Sequence, residues 1–596
     1  ITQNIINNTF TNLLLNTTGG VTFIANSVSV PANSTQNING NSIVTGFSKT
    51  GAGGTINLYT TNASSAAGSI TNNMNNNFSN ITLTGATTMA GWVNTDGGSP
   101  RKNISANTFT NWVCGTSAVT CINNNFSGVN TSVSSNTISN ITGQGAITGI
   151  TLGASNSGSL QTVAFNSITT LNSITTGGAI TGINIGASSI TSLNINNNTI
   201  GSFTTAGASL VSGITDALAN TSAIFSNKIY DLTSNNSGDT VNGIRSTAGT
   251  QNINNNLVGD LKTPLANAAN PLIGINVTGG STMNIYYNSV YLNASSSGAQ
   301  FGSSALLAST TPNLVLRNNI FANLSTAVGT GSTVAYRRSS TTISSYGAAS
   351  NNNLFYAGTP SASNLIFTDG TNSSQTLAAY KSFVGTRDGS SITENPTFVS
   401  LTGNNTNFLD INTVTPTQIE SGATPIAGLT ADYAGTTRNV STPDIGAWEG
   451  NYILNDITAP QLLSSNFTTP GCILTGRTFT ANLSDNSGIG TGLLAPRVYF
   501  NINAGAYTSV AGTLASGTAS NGVWSFNLVY SAAINDVISY YLVAQDAAIT
   551  PNLASFPAAG FSGTDVNTVI TPPTTPLTYG VNTLNGVYTV GALGTF

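Results

Sequence analysis

An Asn-x-apolar triplet returns along this chain at a nearly constant interval, and that interval leaves few folds open. It is read at Asn8-Thr9-Phe10, Asn41-Ser42-Ile43, Asn76-Asn77-Phe78, Asn107-Thr108-Phe109, Asn136-Thr137-Ile138, Asn166-Ser167-Ile168 and Asn198-Thr199-Ile200. It continues at Asn227-Lys228-Ile229, Asn255-Asn256-Leu257, Asn288-Ser289-Val290, Asn318-Asn319-Ile320 and Asn352-Asn353-Leu354. The mean step is about 31 residues, inside the range of repeat proteins. A second signature keeps the same phase: Gly149-Ile150, Gly182-Ile183, Gly213-Ile214, Gly243-Ile244 and Gly274-Ile275, with steps of 33, 31, 30 and 31. Two motifs locked to one period describe a solenoid.

The residue types say which kind. Short runs such as Leu193-Asn194-Ile195-Asn196 and Ile275-Asn276-Val277-Thr278 alternate with the period of a strand. Gly, Asn and Ser punctuate every run, and good helix formers at helical spacing are missing. Asn tolerates the left-handed backbone of a tight turn. Stacked coil upon coil, its amides can also hydrogen-bond along the axis. Asn166, Asn198, Asn227, Asn255, Asn288, Asn318 and Asn352 are therefore expected to form a structural stack, each with an inward apolar residue two positions later. The expected fold is all-β: a right-handed parallel β-helix of about twelve coils over residues 1–452. Strands spaced by about 4.8 Å would make that a rod of about 55–60 Å.

These repeats resemble the pectate-lyase-like β-helix proteins and the β-helix-repeat surface proteins, over roughly residues 1–450. The resemblance speaks to fold more than to function, because the scaffold carries enzymes, adhesins and spikes alike. Residues 395–450, from Glu394-Asn395-Pro396 to Asp444-Ile445-Gly446-Ala447-Trp448-Glu449 with Arg438 a few residues earlier, resemble the terminal segment of β-helix domains secreted by gliding bacteria and are read as a cap, with a catalytic carboxylate cluster as the alternative. Residues 453–570 show apolar-alternating runs at 473–483, 496–502, 523–530 and 537–545, which suggest an immunoglobulin- or fibronectin-like sandwich. Residues 571–596 are read as a proline-rich linker, Thr571-Pro572-Pro573-Thr574-Thr575-Pro576, followed by the first strand of another β-helix repeat at Gly586-Val587-Tyr588-Thr589-Val590-Gly591. On that reading the chain is one unit of a tandem array whose partners include neighbouring repeats of a giant chain.

Composition narrows the chemistry. Charged residues make up 5% of the chain, with 14 Lys plus Arg and 18 Asp plus Glu, so no basic surface for nucleic acid is expected. Histidine is absent, which removes Ser-His-Asp catalysis and imidazole metal sites. No apolar run has the length of a membrane span. Cys114 and Cys121 bracket a short loop and are expected to form a local disulfide in an oxidising compartment, two buried thiols being the alternative. Cys472 is expected to be buried without a partner.

Enzymes on this scaffold place carboxylates on adjacent coils. Among Asp216, Asp231, Asp239 and Asp260, the pair Asp231 and Asp260 falls in one phase of the repeat and is the candidate catalytic pair, with turn carboxylates paired to Lys228 or Lys262 as the plainer reading. Arg337-Arg338 is a candidate contact for an anionic sugar, and Tyr286, Tyr287 and Tyr291 a candidate stacking platform. The Asp485-Asn486-Ser487-Gly488-Ile489-Gly490 turn is a weak calcium candidate through Asp485; no other cofactor or metal is expected. The function expected from all of this is non-enzymatic. The chain reads as a structural or adhesive unit of a giant secreted bacterial protein: an adhesin, stalk or appendage filament, extracellular and at the cell surface. It would self-assemble or contact cell-surface glycans. A polysaccharide lyase or glycosidase working in a β-helix groove is the alternative.

Overall fold

A computed structural model of the chain describes residues 1–125, 128–153, 160–175, 178–186, 189–207, 210–238, 240–465 and 474–581. They form two compact units, one of residues 1–415 and 419–452, the other of 416–418 and 453 onward. The larger unit is a parallel β-solenoid of about eleven turns. Its first sheet has eleven strands, from Thr2–Ile6 to Asn313–Arg317, each paired in parallel with its counterpart one coil away. The second sheet runs from Thr9–Phe10 to Leu354–Tyr356 and the third from Val21–Asn26 to Asn364–Thr368, again in parallel order.

Each turn of the solenoid repeats one local design. In the coil starting at Ser192, the strand Ser192–Asn196 ends in left-handed Asn197, with φ 54°. Asn198 then turns the corner into Thr199–Thr205 of the second sheet, which is bent at left-handed Ser202, and Val211–Asp216 of the third sheet follows. Because the register is kept, like residues stack. Ile138, Ile168, Ile200, Ile229, Val258, Val290, Phe321 and Phe355 pair in sequence up the second sheet, all buried. Ile150, Ile183, Ile214, Ile244 and Ile275 do so up the third. Buried apolar columns of this kind supply the main stabilisation, at about 25 cal/mol per Å² removed from water.

The repeated glycine has a steric cause. Gly149, Gly182, Gly213, Gly243 and Gly274 sit in the third sheet, where a Cβ would meet the next coil's carbonyl oxygen at 2.6–2.7 Å and, at Gly243, Val258 Cγ1 at 2.3 Å. Cys121 occupies the same column two residues into its strand Val119–Asn124, fully buried. The expected disulfide is not present: Cys114 and Cys121 are both free, buried thiols. Burial pushes the Cys114 thiol up to about 12 and that of Cys121 well above its usual value. Both pack as small hydrophobes. Cys472 lies outside the described residues.

The end of the apolar core is covered by an element that the sequence analysis did not single out. The helix Leu377–Val384, capped by the Thr376 hydroxyl, packs Tyr380 and Val384 against the core. Tyr380 meets Phe355 and Phe367 at ring-centroid distances of 5.4 and 5.3 Å. Residues 395–450, read as a cap, instead run along the flank of the solenoid. There Phe408, Leu409 and Ile445 pack on Tyr230, Leu257, Tyr287 and Ile320.

The smaller unit is a two-layer antiparallel sandwich. One sheet orders Gln461–Ser465, Arg477–Ser484, Asn521–Leu528 and Thr513–Gly517; the other is built on Arg497–Ile502 and Val537–Gln545. Phe479, Trp524 and Phe526 of the first share a core with Val498, Tyr540 and Leu542 of the second. Leu577–Gly580 is also a strand of this sandwich, paired with Val537–Gln545 and burying Tyr579. The segment after Thr571 therefore returns to the sandwich rather than leaving it as a linker, because Leu577 and Tyr579 supply apolar side chains to one face. The stretch 586–591 lies outside the described residues.

Candidate functional site

The asparagine column is the most extensive polar arrangement in the solenoid. The Nδ2 of Asn166 donates to Asn198 Oδ1 at 2.9 Å, and Asn198 Nδ2 to Asn227 Oδ1 at 2.9 Å; in each case the backbone N–H donates to the same oxygen. The second hydrogen on Asn198 Nδ2 reaches Val163 O in the preceding coil, also at 2.9 Å. A buried amide is thereby satisfied at every site. The ladder runs through Asn8, Asn41, Asn76, Asn107, Asn136, Asn166, Asn198, Asn227, Asn256, Asn288, Asn319 and Asn353. It ends on a charge. Asn353 Nδ2 donates to Asp388 Oδ1 at 3.0 Å, and the other oxygen of Asp388 accepts from the Tyr346 and Tyr380 hydroxyls at 2.6 and 2.7 Å. All the amides point their donors toward that carboxylate, an alignment in which hydrogen bonds reinforce one another.

Of the residues expected in this stack, Asn166, Asn198, Asn227 and Asn288 are members. Asn255, Asn318 and Asn352 are not; each stands one residue earlier, in left-handed conformation with φ 53°, 61° and 56°. Their amides point to the flanking segment, donating to Ala431 O, Thr424 O and Gly422 O at 2.9, 2.7 and 2.9 Å. Correspondingly Leu257, Ile320 and Leu354 face the flank, while Val258, Phe321 and Phe355 face the core. Both faces of the second sheet are apolar here because both are covered.

Asp231 and Asp260 do come together. Lys262 Nζ lies 2.8 Å from an oxygen of each. The three side chains are partly exposed, so screening by water keeps the pairing weak. Burial raises Asp260 above the usual carboxylate range while Lys262 pulls it down; for Lys262 the two carboxylates outweigh burial and raise it. Asp231 and Asp260 are left-handed, with φ 51° and 54°, in the column that Asn80, Asn111 and Asn140 occupy in earlier coils. Those asparagines link side chain to side chain at 3.0 and 2.7 Å. Lys262 does for two acids what amide pairing does for the asparagines. Lys228 is placed elsewhere, donating to Asn405 O at 3.3 Å.

The other candidates are each held by neighbours within the fold. Asp216 is buried, accepts from Leu218 N and the Ser222 hydroxyl, and is raised by burial to about 6. Asp239 lies outside the described residues. Arg338 is buried and donates to Tyr336 Oη, Thr342 O and Ser345 Oγ; Arg337 donates to Ser304 Oγ and Ser332 Oγ. Tyr287 is buried beneath the Arg438 guanidinium, 3.9 Å from its ring centroid, and Tyr291 is nearly buried against Phe398. Tyr286 lines an open hollow, with Phe225, Asn252, Ile426 and Leu429.

Two polar networks have pairings that the sequence analysis did not give. Arg438 donates to Asn255 Oδ1 and Gly446 O at 2.9 Å and pairs with Glu449 at 3.1 Å, both charges buried. Asp432, Asp444 and Glu449 accept backbone N–H groups of the flanking segment. Burial raises Asp444 to about 7. Within early coils, fully buried Lys102 pairs with Asp96 and is lowered by burial to about 8. Asp485 stands in the sandwich beside Asp456 and Asp546, three carboxylates of the sort that can hold a metal.

Fold and side chains together define an amide-laddered parallel β-solenoid carrying an antiparallel sandwich. Neither protein-family models nor curated proteins give a match to the chain, and no helix among the described residues is long and apolar enough to cross a membrane.

Proposed function

We propose that the chain is a structural and adhesive repeat unit of a giant secreted bacterial cell-surface protein, working in an adhesin, stalk or appendage filament and not as an enzyme. One observation carries the reading: the amide ladder passes through every coil from Asn8 to Asn353 and ends on Asp388. Such a continuous hydrogen-bonded column is a mechanical device and needs no substrate. The sandwich is read as an immunoglobulin- or fibronectin-like spacer between rods. Neutral outward columns, such as Asn4, Asn37, Asn72 and Asn103 linked amide to amide at 2.8–2.9 Å, offer hydrogen-bonding groups to a neighbouring copy or a glycan with little charge repulsion.

A polysaccharide lyase or glycosidase is the competing reading, and the Asp231–Lys262–Asp260 group is the observation that favours it. The two are separated by incubating the full chain with acidic and neutral polysaccharides, with and without calcium, and following unsaturated and reducing ends. The structural reading expects no turnover. Turnover that disappears in Asp231→Asn or Asp260→Asn would overturn it.

A further inference from the structure

The Asp485–Gly490 turn, named in the sequence as a place where oxygen ligands gather, is joined in the sandwich by two carboxylates distant in sequence. Asp456, Asp485 and Asp546 each bring an oxygen to within 4.8 Å of the other two. Asp485 follows the strand Arg477–Ser484, and Asp546 follows Val537–Gln545 and bridges to Ile489 of the same turn. Asp456 is held by Thr458, whose backbone N–H and hydroxyl both donate to Oδ1, at 2.8 and 2.6 Å.

The convergence has no basic partner among the described residues. Residues 453–596 contain two basic side chains, Arg477 and Arg497. Arg477 lies over the Tyr579 ring and Arg497 donates to Ser509 Oγ. No ion pair among the described residues includes the three aspartates. Asp546 accepts from Asn552 on both oxygens, and Asp485 Oδ1 accepts from Ser487 N. A second observation points to a ligand: Asp456 is 4% exposed, and its Oδ2 is buried and accepts no hydrogen bond among the described residues. A buried anionic oxygen without a partner is costly.

We infer that Asp456, Asp485 and Asp546 form a binding site for a divalent cation of the calcium type. The donors are all hard oxygens, which suit calcium or magnesium rather than zinc or copper. They come from three separate segments, and calcium tolerates a wider range of ligand arrangements than the strict octahedron of magnesium. Beside them an open groove lined by Thr458, Ser484, Asn486 and Ser520 has room for the waters that complete six to eight oxygens.

Calorimetric titration of the full chain with calcium, after dialysis against a chelator, tests this. One calcium per chain is expected, with a Kd on the order of 10⁻⁴ M, as in extracellular modules. Asp485→Asn should weaken binding at least tenfold, and magnesium should bind at least tenfold more weakly than calcium. Asp456→Asn, which keeps the Oδ1 acceptor for Thr458, should weaken it likewise. The inference is overturned if the folded wild-type chain takes up no calcium at 10-fold above that concentration, or binds it equally in both variants. It is also overturned if the sandwich's melting temperature is unmoved by saturating calcium.

Discussion

An interior asparagine of the ladder such as Asn198 donates to one neighbouring coil's amide oxygen and the other's carbonyl while its own oxygen accepts from Asn166, which no other side chain of that size can do. Asn198→Ala would leave the N–H and Nδ2 of Asn166 and the carbonyl of Val163 without their partners. The expected loss is about 1–3 kcal/mol for each buried group stranded, read as a lower urea midpoint. Asn197→Gly, one residue earlier and left-handed, should stay within about 0.5 kcal/mol in the same assay. Gly243→Ala forces a Cβ against Val258 and the carbonyl of Gly274 and should cost about 1–3 kcal/mol by overpacking. The ladder was legible in sequence where one Asn stands alone, as at Asn166. It was misread by one place at Asn255-Asn256, Asn318-Asn319 and Asn352-Asn353, because the left-handed site and the ladder site both favour asparagine. The apolar residue that would have fixed the register was no help either, since Leu257 and Val258 are both buried, on opposite faces of the strand.

At the scale of elements, the flanking segment 395–450 is fastened by a few polar contacts laid over apolar ones. Arg438→Ala would leave Glu449 buried without its cation and Asn255 Oδ1 without a donor. A cost of about 3–5 kcal/mol is expected, seen as early loss of the flank by hydrogen exchange at the N–H groups of 430–450. The carboxylates of this segment, Asp432, Asp444 and Glu449, are turn acceptors, a role that sequence cannot separate from catalysis because both call for Asp and Glu among glycines. Burial raises Asp216 to about 6 and Asp444 to about 7. A carboxyl whose folded value exceeds its unfolded one, near 4, binds more protons in the folded state, so stability falls as pH rises between those values. The solenoid's melting temperature should accordingly rise on going from pH 7 to pH 5, and Asp216→Asn should flatten part of that slope. A melting temperature that falls over this range would contradict the assignment.

For the molecule as a whole, the fold was largely written in the period. A step of about 31 residues, alternation within short runs and a repeated Gly-Ile imply a parallel solenoid because only stacking buries such short apolar strands. The sandwich was legible from alternation alone: the runs noted at 496–502 and 537–545 coincide with Arg497–Ile502 and Val537–Gln545. Two features were not. The eight-residue helix Leu377–Val384 closes the core end with Tyr380 and Val384, too short a segment to announce itself against a β background. Asp456, Asp485 and Asp546 converge from positions up to 90 residues apart, a relation only the folded sandwich creates. The proposal that ties these scales together is that the coil is built to bear load at a cell surface. Electron microscopy of producing cells, labelled with antibody raised against residues 1–452, tests it most directly. Label repeating along surface fibres is the predicted result; label spread through the medium with no fibre would contradict it.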